Sequence, residues 1–124
     1  MEMFLDREIP HELDAWFEHA VDCCAFLAWR LSTQGAAIRF RSHGFDFRQP
    51  EDGDIYTILK YLALVYPQYE ARQGESPEGP LDDTHFKIVF TPSPEAFLEA
   101  GWLDARLLDP DALPLPAEER SIGL

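Results

Sequence analysis

The chain has 124 residues, of which 46% are apolar and 13% aromatic, so it is long enough to bury the core of one domain. Its formal net charge of −13 argues against nucleic acid and anionic membranes as direct partners, because both are negatively charged themselves. No apolar run is long enough to span a membrane, and the N-terminal residues lack the pattern of a secretion signal. Together with two cysteines that we expect to stay reduced, these features predict a cytoplasmic protein.

Residues 10–34 predict the longest helix. Apolar side chains recur there at steps of three and four residues, which places them on one stripe facing the core. They are Leu13, Phe17, Ala20, Cys24, Leu27 and Leu31. The opposite side is acidic in its first half, with Glu18 and Asp22, and apolar in its second half, with Phe26 and Trp29. Two interpretations of the second half stay open: the C-terminal segment covers it, or a partner or a second copy of the chain binds there.

Two segments alternate with the period of a strand. Residues 1–9 alternate loosely and predict a short edge strand or an extended arm. Residues 36–49 alternate on both sides of His43-Gly44, which predicts a hairpin with a two-residue turn. The turn sets two cross-strand pairs, Phe40 with Phe47 and Arg41 with Asp46. One long strand bulged at Gly44 is the alternative.

The rest of the chain predicts four segments and a tail. The segments are a helix over 54–66, a polar loop over 68–83, a strand over 85–91 and a helix over 94–108. An end of the last helix at Gly101 is the alternative. A proline-rich, extended, acidic tail follows over 109–124. The predicted fold class is α+β: a small, mainly antiparallel sheet covered by helices on one face, in a single domain over 1–108.

Few residues point to catalysis. His19 and Cys23 have the spacing of metal ligands on a helix, but two ligands do not make a site. The cluster of Asp82, Asp83 and His85 lacks a nucleophile. The sequence contains no nucleotide-binding loop and no zinc-protease motif. We therefore expect no metal site, no cofactor and no enzyme activity.

The basic residues are concentrated in one segment. Residues 30–48 carry four arginines and one aspartate, a net charge of +3, which leaves −16 for the rest of the chain. Arg39, Arg41 and Arg48, with His43 at the turn, form a row that either binds an anion or pairs with the chain's own carboxylates.

The acidic surface and the exposed aromatic residues predict a protein-binding inhibitor that blocks a basic, nucleic-acid-binding surface of another protein. The expected partner-binding residues are Glu18, Asp22, Phe26, Trp29, Tyr61, Trp102, Glu51, Asp52 and Asp54. Immunity proteins, anti-CRISPR proteins and anti-activators of transcription factors, from bacteria and phages, share this composition, which is an analogy without a motif. The alternatives are a homodimeric interaction module and a small anion-binding domain or enzyme that uses the row of Arg39, Arg41 and Arg48.

Overall fold

Five strands and three α-helices lie within residues 1–69, 77–81 and 86–115, the part of the chain that the computed structural model describes. In chain order they are β1 (Glu2–Leu5), α1 (Asp14–Thr33), β2 (Ile38–Ser42), β3 (Phe45–Gln49), α2 (Ile55–Leu64), β4 (Lys87–Phe90), α3 (Pro94–Glu99) and β5 (Arg106–Leu108). A single 3-10 turn over His11–Leu13 precedes α1. None of the described helices is both long enough and apolar enough to cross a membrane.

The five strands form one mixed sheet in the order β3-β2-β1-β4-β5. The pairs β1–β2, β1–β4 and β4–β5 are parallel, and β2–β3 is antiparallel. The α+β class is confirmed, but the prediction of a mainly antiparallel sheet holds only for the hairpin. Within that hairpin both predicted pairs are confirmed: Phe40 faces Phe47, and Arg41 faces Asp46.

The first strand lies at the centre of the sheet, so the prediction of an edge strand or an arm is wrong. All four residues of β1 are buried, including Glu2. An acidic residue in so short a segment suggests an exposed strand, because a buried carboxylate needs a partner. Arg41 of the neighbouring strand supplies that partner, at 2.8 Å.

Helices cover both faces of the sheet, which corrects the prediction of cover on one face. Successive side chains of a strand point to opposite faces. Met3 and Leu5 therefore pack in the larger core with α1 and α2, whereas Phe4 packs on the other side with Val89 and α3. Both faces of β1 and β4 are buried, as is usual for parallel strands inside a sheet.

The predicted helix over 94–108 is wrong in its second half, and the alternative end at Gly101 is confirmed. The helix α3 ends at Glu99, and Gly101 follows with a φ of +108°, a value that favours glycine. Residues 106–108 then form β5 beside β4.

In contrast, α1 and α2 lie where the sequence predicts them, and the Asp54 side chain caps α2 by accepting a hydrogen bond from the Tyr56 backbone N–H at 3.1 Å.

The predicted loop and tail are only partly described. Residues 70–76 and 82–83 of the predicted loop, residue 85 of the predicted strand and residues 116–124 of the predicted tail lie outside the described residues. Residues 77–81 contact the sheet, since the Gly79 carbonyl accepts a hydrogen bond from Arg41 at 2.9 Å. Leu113 packs against the larger core, and its carbonyl accepts a hydrogen bond from the Trp16 indole at 3.0 Å.

Candidate functional site

The outward side of α1 presents acidic and aromatic residues next to each other. Glu18, Asp22 and Phe26 follow one another at steps of four, so they form a line along the helix, and Trp29 lies one turn beyond. Phe26 is 64% exposed and Trp29 is 42% exposed. Tyr56 of α2, also exposed, lies beside Trp29 with the two ring centroids 6.0 Å apart. We call these five residues the α1 surface.

A groove runs along the α1 surface, between α1 and β5. Its volume is about 370 Å³, and it is lined by His19, Asp22, Cys23, Phe26, Leu27, Phe90, Leu108 and Leu113. The walls are mostly apolar, and Asp22 supplies a carboxylate to the lining. The strand β5 is the last of the sheet order, so its outer edge has no partner strand in the described part of the chain. An apolar groove beside an open strand edge is a typical contact surface for another polypeptide.

The sequence left two interpretations of the apolar half of α1: cover by the C-terminal segment, or contact with a partner. The described residues do not support cover by the C-terminal segment. The segment leading to Leu113 approaches α1 at Trp16, near its first turn, where the indole–carbonyl hydrogen bond holds it. Phe26 and Trp29 remain exposed beyond that contact. Up to residue 115, therefore, the C-terminal segment does not cover the aromatic half of the helix.

The two other predicted aromatic anchors are not on this surface. Tyr61 is half-buried and stacks on Phe45 with a centroid distance of 4.1 Å. Trp102 is completely buried in the smaller core, and its indole N–H donates to the Glu78 carbonyl at 2.7 Å. A buried indole cannot contact a partner in the folded state, so we exclude Trp102 from the binding surface.

The predicted acidic residues of the turn before α2 are exposed but engaged within the chain. Glu51 and Asp52 each lie 3.1 Å from the Arg48 guanidinium. The hydrogen bond from Arg48 lowers the pKa of Asp52 below its ordinary value. Asp54 caps α2 next to Tyr56, so this acidic turn borders the α1 surface.

The arginines of the predicted anion-binding row have carboxylate partners. Arg39 binds both oxygens of Asp46, at 3.0 and 2.6 Å, and this hydrogen bonding lowers the pKa of the Asp46 carboxyl. Arg41 is buried between Glu2, at 2.8 Å, and Glu78, at 2.7 Å. An anion bound to this row would have to compete with these carboxylates, so anion binding there remains a prediction.

His43 lies at the carboxyl ends of the parallel strands, and its polar partners are carboxylates. Its Nε2 is 3.0 Å from Asp6 Oδ1, and its Nδ1 is 3.6 Å from Glu8. The other oxygen of Asp6 accepts a hydrogen bond from the Thr91 hydroxyl at 2.6 Å. Sequence reasoning missed this network. One signal in the sequence could have indicated it: Asp6 and Thr91 each directly follow a strand, and the carboxyl ends of adjacent parallel strands meet at one edge.

The cysteines and histidines of the described residues form no metal site: no three metal-ligating side chains converge there. The Cys23 sulfur lies 3.8 Å from Nε2 of His19. Burial, and then the charge of Asp22, raise the pKa of the Cys23 thiol, and burial raises that of Cys24 still further. The predicted cluster of Asp82, Asp83 and His85 lies outside the described residues.

We expect both thiols to be poor nucleophiles, because only the thiolate reacts readily and a raised pKa depletes it. Iodoacetamide at neutral pH should label half-buried Cys23 more slowly than a free cysteine, and Cys24 only after unfolding in urea. Peptide mass spectrometry distinguishes the two positions, with Cys23→Ser as the control. Labelling of Cys24 in the native protein as fast as in urea would contradict its burial.

The α1 surface and its groove therefore bring together four of the predicted partner-binding residues, Glu18, Asp22, Phe26 and Trp29. Tyr56, Leu108 and Leu113 join them and were not predicted as binding residues. The chain has no significant match among protein families, curated proteins or solved structures.

Proposed function

We propose that the protein is an acidic inhibitor that binds another protein through the α1 surface and blocks a basic surface of that partner. The observation that carries this proposal is the exposure of Phe26 and Trp29 directly beside Glu18 and Asp22. Aromatic residues with an apolar body are the usual anchors of protein interfaces. Carboxylates beside them select a partner with basic residues.

Charge supports a basic partner rather than an acidic or neutral one. A net charge of −13 raises the rate of encounter with a positively charged surface and repels acidic proteins. A surface of this kind competes with phosphate groups for the same lysines and arginines. We therefore infer that the blocked surface is one with which the partner binds nucleic acid. The proposed setting is the cytoplasm, where the two free cysteines would stay reduced.

Pull-down from the lysate of the native host tests the proposal. We expect the tagged protein to capture one basic protein in a stoichiometric amount at low salt and less of it at high salt. Trp29→Ala and Phe26→Ala should each weaken capture, because they remove an anchor, while the melting temperature stays near that of the wild type. Leu103→Ala is the matched control, since Leu103 is exposed and lies outside the α1 surface.

Capture that is unchanged in Trp29→Ala and Phe26→Ala, or a captured set without a basic member, would contradict the proposal. Competition between the captured partner and its nucleic acid would test the blocking step directly.

The open edge of β5 beside the groove favours a second candidate, a homodimer formed through the same side of the molecule. Two chains of charge −13 repel each other, which makes this the weaker candidate. Light scattering at high protein concentration distinguishes the two, because a monomer mass excludes the homodimer and leaves the inhibitor proposal intact.

A further inference from the structure

One buried arginine has no counter-ion among the described residues. Arg7 follows β1 and is only 8% exposed. Its Nε–H donates to the Tyr66 carbonyl at 2.9 Å, and its guanidinium lies 4.6 Å from the centroid of the Tyr66 ring. Among the described residues, no carboxylate forms an ion pair with Arg7, and its two terminal nitrogens have no hydrogen-bond partner. Buried charges in proteins are normally paired, so this guanidinium is suited to an external anion.

Arg7 lines a groove that is separate from the α1 surface. The groove has a volume of about 450 Å³, within the range of small-molecule sites. Phe45, Tyr61, Leu64 and Tyr66 supply apolar and aromatic walls, and Lys60 supplies a second cation. In a chain with 23 acidic and 10 basic residues, the described lining contains two cations and no carboxylate. The local charge is therefore opposite to that of the molecule as a whole.

We propose that this groove binds a small organic acid with an apolar body. The carboxylate of the ligand accepts hydrogen bonds from the free terminal nitrogens of Arg7, which form a planar fork that matches a carboxylate. Lys60 adds a second positive charge from α2. The apolar body of the ligand lies between Leu64 and the rings of Phe45 and Tyr66. A few polar groups that orient a ligand among apolar walls are typical of small-molecule sites.

The proposal commits to a free acid, either alkyl or aryl, and does not depend on the protein-binding function of the α1 surface. None of the groove residues belongs to that surface, although both involve α2. Tyr56, which belongs to the α1 surface, precedes the groove residues in the same helix.

Titration of the ¹⁵N-labelled protein with octanoate and with phenylacetate, followed by amide chemical shifts, tests the site. We expect saturable shifts in α2 and at Tyr66 with at least one of the two acids. Octylamine, which has the same number of carbon atoms as octanoate and the opposite charge, should give no saturable shift. Stronger binding of octanoate would identify an alkyl acid as the ligand class, and stronger binding of phenylacetate an aryl acid.

Three variants assign the binding to the groove. Arg7→Gln should weaken binding at least about tenfold, the loss expected on removal of a charge-assisted hydrogen bond. Leu64→Glu should weaken it similarly by repulsion, and Leu64 is 70% exposed, so this variant should fold. Leu103→Glu, at a position 73% exposed and outside the lining, adds the same charge and should bind like the wild type.

Leu64→Glu tests whether the acid binds in the groove even if Arg7→Gln does not fold, because Leu64 is on the surface. The proposal is overturned when neither acid gives saturable shifts, when Leu64→Glu binds the acids as tightly as Leu103→Glu, or when octylamine binds at the same residues as octanoate.

Discussion

Replacement of Arg41 by methionine is expected to lower the free energy of unfolding by about 3–5 kcal/mol, the cost of leaving one member of a buried ion pair uncompensated. The side chains of Arg41 and Glu2 are each 4% exposed and lie 2.8 Å apart. Methionine retains most of the length of the side chain and removes the charge, so Glu2 loses its counter-ion in the middle of the sheet. Urea denaturation followed by circular dichroism measures the change.

The same strand provides the control. Arg39 forms an ion pair of similar length with Asp46, but these side chains are 36% and 47% exposed, so Arg39→Met should cost less than about 1 kcal/mol. Removal of both buried charges, in Arg41→Met with Glu2→Leu, should restore much of the stability lost in the single variant. Equal losses in Arg41→Met and Arg39→Met would contradict the burial of the Arg41–Glu2 pair.

Replacement of Trp102 by alanine is expected to lower the free energy of unfolding by about 3–5 kcal/mol, because it removes a completely buried aromatic side chain. The indole packs against Phe4 and Phe97 and donates a hydrogen bond to the Glu78 carbonyl. Alanine would leave a cavity on this face of the sheet and an unpaired carbonyl at Glu78.

Trp29→Ala is the matched comparison, since the same side chain is removed from the exposed side of α1. Its expected cost is less than about 1 kcal/mol. Urea denaturation of both variants compares them under the same conditions. A Trp29→Ala variant as unstable as Trp102→Ala would show that Trp29 belongs to the core, and the α1 surface would then lose its main anchor.

The parts of the fold that sequence reasoning predicted are those that short-range patterns determine. The hairpin follows from alternation on both sides of a two-residue turn, which fixes its register locally. The helices α1 and α2 follow from apolar stripes and, for α2, from the cap at Asp54.

The parts that it missed depend on residues far apart in the chain. The central position of β1 requires β4, whose residues lie far along the sequence, and it requires Arg41 to neutralise Glu2. The residues Leu103, Leu107 and Leu108 have a spacing compatible with a helix, but pairing with β4 places the last two in a strand. Local periodicity contains no information about such partners.

The candidate sites, too, were predicted only where local sequence patterns determine them. Helical periodicity was sufficient to place Phe26 and Trp29 on the outward side of α1, but it could not distinguish exposed Trp29 from buried Trp102. The sequence gives no sign of a binding role for Arg7, because Arg7 lies between Asp6 and Glu8 and this pattern suggests ion pairing. In the structure both of those carboxylates approach His43, while the Arg7 guanidinium turns towards Tyr66.

The central position of β1 also bears on how the sheet assembles. Asp6 and Thr91, which directly follow the two neighbouring parallel strands β1 and β4, are 85 residues apart in the chain. During synthesis β1 emerges before the strands on either side of it, and the closure of so long a segment has a large entropic cost. Until β4 has been synthesised, one edge of β1 and its apolar residues are available for incorrect pairing. The nascent protein should therefore depend on early packing of α1 and the hairpin to protect β1.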